Sequence, residues 1–178
     1  EIHIATQFTT EKNKLKKLGF YLHPLPIDRS SFNIKSNLRT IFKIYYLYKK
    51  VKPNICHLIT IKPILYGSLI AHLFSKLSLV ISISGLGYIF SDRRLSSNIK
   101  EMIISVIYKL AFNQKRIKVI FQNKDDQEKL IKITKISKKN TILIPGSGVD
   151  LNKFRPRINK DRRIVLFASR LLTSKGIK

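Results

Sequence analysis

Apolar positions along the chain alternate between a two-residue and a helical period, and the changes of period divide it into elements. Residues 1–6 read as a short strand with Ile2 and Ile4 on one face. Residues 12–18 read as a basic helix stopped by Gly19, since glycine tolerates the positive φ of a helix end. A second strand is expected over 20–25. Ser36 can cap a helix running to Val51, with Leu38, Ile41, Ile44, Tyr45 and Tyr48 at helical spacing and Pro53 beyond its end. A strand over 55–60, a nearly all-apolar helix over 64–77 with Pro63 in its first turn, and a buried strand over 79–84 follow. After a glycine-bearing loop over 85–92, Ser96 or Ser97 opens a helix with an apolar stripe of Ile99, Ile103, Val106, Ile107 and Leu110. Residues 118–122 read as a strand. Asn123 caps a helix with Asp125 and Asp126 in its first turn, where acids suit the helix dipole. Residues 141–144 form a last strand before Pro145.

Repeated alternation of strand and helix predicts an α/β fold, with a Rossmann-like parallel sheet and helices on both faces. Such sheets bind ligands at the carboxyl ends of their strands, so the loops after Ile59, Ser84 and Ile144 are the places to look. The pattern changes after Phe154. Residues 155–163 are mostly polar, with Pro156 and five bases, and 164–168 is a fresh apolar strand followed by a turn and a helix start. The expected division is a domain over 1–157, then a linker and the truncated start of a second Rossmann-like domain over 158–178. Glu1 and Lys178 read as cuts within a longer pattern.

Charge changes this picture. The 178 residues carry a formal charge of +25, and between Glu11 and Asp92 the only acid is Asp28. Such a field attracts nucleic acid or anionic lipid headgroups. A Lys-, Ile- and Asn-rich composition also raises it by drift alone. The chain offers no recognised nucleic-acid-binding motif, and its aromatics fall mainly on apolar helix faces, so no specific nucleic-acid partner is expected. Cys56 is the only cysteine and sits in an apolar run, so it reads as a buried, unreactive thiol that excludes an internal disulfide. No run reaches the length of a membrane span; the longest apolar stretch, 64–90, is broken by Lys76 and two glycines of its loop.

The chemistry-bearing motifs are few. There is no phosphate loop, no dinucleotide glycine pattern around Gly85 and Gly87, and no metal-ligand spacing among four histidines and one cysteine, so neither metal nor cofactor is expected. The run 142–154, IPGSGVDLNKFRP in its core, is a strand feeding a glycine turn with Asp150 and Phe154 behind it. It is either a tight turn with a packed aromatic or a loop whose backbone approaches a ligand, as glycine permits. Arg170 follows the strand of 164–168 and Lys175 opens the next helix. A planar guanidinium, a point charge and a helix amino terminus together make a plausible diphosphate site.

These last two runs, IPGSGVDLNKFRP and VLFASRLLTSKGI, resemble the interdomain passage of glycosyltransferase family 4, retaining enzymes of GT-B fold. Upstream, PIDRSSFNI, HLITIKPILYGS, ISGLGYIF and VIFQNKDDQEKLI resemble the branch that transfers a sugar from a nucleotide diphosphate to a saccharide on a polyprenyl diphosphate. The resemblance implies that the chain is most of the acceptor-binding half of such an enzyme. Arg170 and Lys175 then match the pair binding the donor diphosphate, and Gly146, Ser147 and Gly148 the loop facing the donor. His57, Thr60, Lys62, Gly85, Leu86, Gly87 and Tyr88 are acceptor-side candidates; for His57, a hydrogen-bonded histidine at a strand end is an equal alternative. Ser169 stands where the family usually has glycine. Family members carry a first strand, a glycine loop and a helix ahead of this passage, and most of a second domain with two donor-contacting glutamates behind it. The implied partners are a nucleotide-sugar donor, a polyprenyl-diphosphate-linked saccharide and an anionic membrane surface. The implied location is cytoplasmic, on the inner face of the cell membrane. The helices over 36–51 and 97–114 are expected to touch the bilayer. The 178 residues alone are expected to be inactive; the alternative is a non-catalytic remnant or acceptor-binding module.

Overall fold

The computed structural model describes residues 1–8, 11–27, 33–85, 98–146, 148–155 and 166–168. The chain packs as two units, Glu1–Ser147 and Gly148–Lys178. The first contains β1 (His3–Thr6), α1 (Lys12–Lys17), β2 (Tyr21–Pro24), α2 (Ile34–Val51), β3 (Ile55–Ile59), α3 (Ile61–Ala71), β4 (Ser78–Ile83), α4 (Asn98–Phe112), β5 (Ile117–Phe121), α5 (Lys124–Thr134), a 3-10 turn (Lys138–Asn140) and β6 (Thr141–Leu143). The strands form two parallel sheets, one of β1 and β2 and one in the order β3-β4-β5-β6.

Consecutive parallel strands need a crossover, and a right-handed crossover fixes the face on which its helix lies. From β3 to β6 every step goes the same way, so α3, α4 and α5 share one face, and α2, packed beside α3, joins them. The step from β1 to β2 places α1 on the other face. Register confirms the layering. Leu58, Ile81 and Val119 are paired across the sheet, and all point to the helices and are buried. Their neighbours His57, Val80 and Lys118 are paired on the opposite face, where His57 and Lys118 are exposed.

Helix ends follow local chemistry. The Asn33 side chain caps α2 by accepting from the Lys35 and Ser36 amides, so the helix starts before the expected Ser36. Ser36 instead contributes its carbonyl, which accepts from Thr40 Oγ1 at 3.0 Å; the same hydroxyl lies 2.7 Å from the Pro26 carbonyl. Asn123 caps α5 as expected, accepting from the Asp126 amide, and Gly19 takes φ 82 behind α1. The largest departure is α4. Its buried face is Tyr108, Ala111 and Phe112, while Val106 and Leu110, expected inward, face out.

The seam between α3 and the sheet depends on Gly67. A Cβ there would meet Leu58 Cδ2 at 2.7 Å and Tyr48 Oη at 2.9 Å. Neither neighbour has room to yield, because Leu58 is buried and Tyr48 Oη lies 3.2 Å from Cys56 Sγ. Burial drives the Tyr48 phenol well above its ordinary range and raises the Cys56 thiol, the latter partly offset by the hydrogen bond to Tyr48.

Gly67→Ala gains about 1 kcal/mol of helix propensity but overpacks the seam at a cost of about 1–3 kcal/mol. The expected net result is a lower urea midpoint; an unchanged or higher one would show that the seam has slack. A second expectation concerns β1 and β2, where His3 Nδ1 lies 2.9 Å from His23 Nε2 and the rings stack. Burial, then His3 and Lys50, hold the His23 imidazole below its usual 6.5. The unfolded chain therefore takes the proton first, and stability is complete above 6.5 and lost as pH falls through that value toward the folded pKa. Urea unfolding at about pH 7.5 and about pH 5.5 should show this loss in the wild type and a smaller one in His23→Gln.

Candidate functional site

At the carboxyl edge of the sheet, the loop leaving β3 and the loop leaving β4 converge. β3 passes directly into α3 through Thr60, whose backbone sits at φ 70, ψ 159. Positive φ in a β-branched residue is strained, and such strain persists only where the surroundings over-determine it. Thr60 accepts the first helical bond of α3 from the Ile64 amide at 3.0 Å without a side-chain cap. Ser82, Ile83, Ser84 and Gly85 leave β4 alongside it, and Tyr108 of α4 closes the base.

These residues, with Ile61 and Ile64, line a cavity of about 150 Å³. Pockets that engulf a whole drug-sized ligand run to about 300–1,000 Å³, so this cavity holds part of a ligand. Its polar lining is hydroxyl: Thr60, Ser82, Ser84 and Tyr108. Burial pushes the Tyr108 phenol up to about 12, so it stays a neutral hydroxyl at physiological pH. Lys62 stands in the first turn of α3 and donates to Asn37 Oδ1 of α2 at 3.1 Å. A helix amino terminus with a lysine beside it favours negative charge. The arrangement can grip a hydroxylated, locally anionic ligand by hydrogen bonds. Among the described residues, no group of three His, Cys, Asp or Glu side chains is placed to hold a metal ion.

Of the sequence candidates, Thr60 and Gly85 meet at this cavity. His57 is the middle residue of β3 rather than its end; its Nε2 lies 2.8 Å from Ser82 Oγ on the open face of the sheet. His57 therefore reaches the cavity only through Ser82. Gly146 lies beyond β6 at φ 69, a conformation that a side chain would strain. In the second unit, Gly148 has φ 72, and a turn follows in which the Asp150 carboxylate accepts from the Asn152 amide and the Asp150 carbonyl from the Phe154 amide. Phe154 itself is exposed, so the packed-aromatic explanation of this run does not hold. Leu86, Gly87, Tyr88, Ser147, Arg170 and Lys175 lie outside the described residues.

Sequence reasoning missed Ser82, Ser84 and Tyr108. The signal for the serines was present, because in an alternating strand the hydroxyls two residues apart share a face. Tyr108 carried no such signal: inside an apolar helix, nothing local marks which aromatic tip reaches a cavity.

The residues of this edge fall within a region that matches a family description. The glycosyl transferase 4-like model matches residues 1–123. No curated protein matches the chain. Among solved structures, the chain is similar to a glycosyltransferase from Rickettsia africae ESF-5, with a TM-score of 0.50 and 16% identity over 89% of this chain. It spans 38% of that protein's length. At that identity the likeness speaks for the fold, which is the Rossmann-like arrangement described above. The family match is independent of it and runs from β1 through β5 to the residue that caps α5: the chain belongs to the glycosyl transferase 4-like family.

Proposed function

We propose that this chain supplies the acceptor side of a glycosyltransferase that moves a sugar from a nucleotide-diphosphate donor to a lipid-linked saccharide at the cytoplasmic face of a membrane. The observation that carries the reading is the hydroxyl-lined cavity where Thr60 and Gly85 meet, at the sheet edge where ligands of parallel α/β folds bind. Its size suits one portion of an extended acceptor. Thr60, Lys62 and Gly85, with Leu86, Gly87 and Tyr88 on the same loop, are assigned to that acceptor, and His57 positions Ser82. Gly146, Ser147 and Gly148 face the donor. Arg170 and Lys175 take the donor diphosphate.

The chemistry follows from the leaving group. Transfer passes through an oxocarbenium-like state as a nucleotide diphosphate departs, and the protein's work is to align the two substrates and stabilise the departing charge. A guanidinium and an ammonium on the diphosphate do the latter. Retention of anomeric configuration belongs to this proposal.

Membrane contact is assigned to α2. Ile34, Leu38, Phe42 and Tyr46 recur every four residues along it and are all exposed, Phe42 and Tyr46 at 60% and 64%. Lys35, Arg39, Lys43, Lys49 and Lys50 accompany them, with no acid in the helix. An apolar stripe flanked by bases suits the interface of an anionic bilayer, where each base contributes about 1 kcal/mol. Among the described residues, no helix is long and apolar enough to cross a membrane.

In an assay of sugar transfer to a polyprenyl-diphosphate saccharide by the protein carrying this sequence, Arg170→Ala and Lys175→Ala should each lower kcat by about 100-fold or more. Wild-type rates in both variants would remove the diphosphate role. In vesicle sedimentation at low salt, the protein should bind anionic vesicles more than neutral ones, and Phe42→Ser with Tyr46→Ser should weaken that binding. Equal binding to neutral vesicles, or none at low salt, would refute the membrane assignment.

A further inference from the structure

β1 pairs only with β2, and β3 only with β4, so among the described residues each leaves one edge of its backbone without a strand partner. The two open edges face a common groove. It is lined along the whole of β1 from Glu1 to Gln7 and the whole of β3 from Asn54 to Thr60, with Ile44, Leu47 and Tyr48 of α2 as its floor. Its volume, about 1630 Å³, exceeds the roughly 300–1,000 Å³ of small-ligand pockets and is the size of a piece of secondary structure.

The edges have the same polarity. The start of α2 lies at the carboxyl ends of both β2 and β3, through Thr40 Oγ1 to the Pro26 carbonyl and Lys62 Nζ to Asn37. The end of α2 lies over the start of β3, through Tyr48 and Cys56. β2 and β3 therefore both run against α2, and β1 is parallel to β2. The unmet hydrogen bonds on both sides of the groove call for one extended segment lying parallel to both neighbours.

A second vacancy adjoins the first. On the face opposite α2–α5, Ile55 and Ile59 of β3 are 65% and 50% exposed. A strand in the groove that continues into β1 steps away from β3, opposite to the steps from β3 to β6. The right-handed rule then sends its connecting helix to this bare face. One strand–helix unit joined on the amino side of β1 thus fills both vacancies; a lone strand, or one arriving from elsewhere, fills only the groove.

We propose that the groove between β1 and β3 is the seat of a parallel β-strand of about five residues, apolar on both faces, followed by an amphipathic helix that covers Ile55 and Ile59 and leads into β1. Seating it joins the two sheets into one seven-stranded sheet in the order β2-β1-strand-β3-β4-β5-β6. The inference is independent of the enzymatic reading.

The test is amide hydrogen exchange on the 178-residue chain with and without a designed strand–helix unit fused ahead of Glu1. In the chain alone, amides on the open edges of β1 and β3 should exchange fast while those of β4 and β5 are protected. Fusion should slow the edge amides by about 100-fold or more and raise the unfolding midpoint. A control whose strand carries a central proline, which removes a donor and blocks pairing, should do neither. If the unfused chain is too unstable to read, a cooperative unfolding transition gained with the designed strand and not with the proline control supports the proposal. Edge amides already protected in the unfused monomer would overturn it. So would protection that appears only with dimerisation, which would seat a second copy in the groove, and so would equal effects of the designed and proline strands.

Discussion

The parallel pairing of β3, β4, β5 and β6 is the constraint on which the rest of the structure depends. Parallel neighbours cannot be joined by tight turns, so each pair requires a crossing helix, and the fixed handedness of the crossings gathers α2 to α5 on one face. That single consequence produces the buried layer of Leu58, Ile81, Val119 and Tyr108, the close approach at Gly67, and the convergence of the β3 and β4 loops at one edge. It also leaves the opposite face to whatever crosses in the other sense.

The chain's charge is distributed to suit this layout. Salt bridges are few and lie on the surface, as between Lys124 and Glu128 of α5 at 3.6 Å, and pairs of that kind contribute little to stability. The lysines are not there to hold the fold together. Cohesion comes from apolar side chains and backbone ladders, while the basic surface remains available to act at a distance on anionic partners.

Much of the fold was legible in the sequence because it is written in local periodicity and punctuation. Gly19, Asn123, Pro53 and the alternation of residues 79–84 each marked a boundary by chemistry confined to a few neighbours. The errors arose where distant partners decide. Asn33 displaced Ser36 as the cap of α2 because the Thr40 hydroxyl engaged the Ser36 carbonyl and the Pro26 carbonyl together. In α4, Val106 and Leu110 are as apolar as any core residue, yet the approach of α3 and α5 turned Tyr108, Ala111 and Phe112 inward instead. The site was half legible: strand ends pointed to Thr60 and Gly85, but the hydroxyl lining depends on which side chains three separate elements bring to one point. The break between the two sheets left no trace in the pattern, since an edge strand and a central strand of the same composition read alike.

Cys56 gives the sheet edge a reporter of its own. Its thiol lies on β3 beside Tyr48, raised by burial above the ordinary cysteine range, so little thiolate exists at neutral pH while the strand stays seated. An alkylating reagent can react with it only after the edge has come away from α2. The rate at which this lone sulfur is consumed therefore keeps time for the local opening of the sheet, without any label having to be introduced.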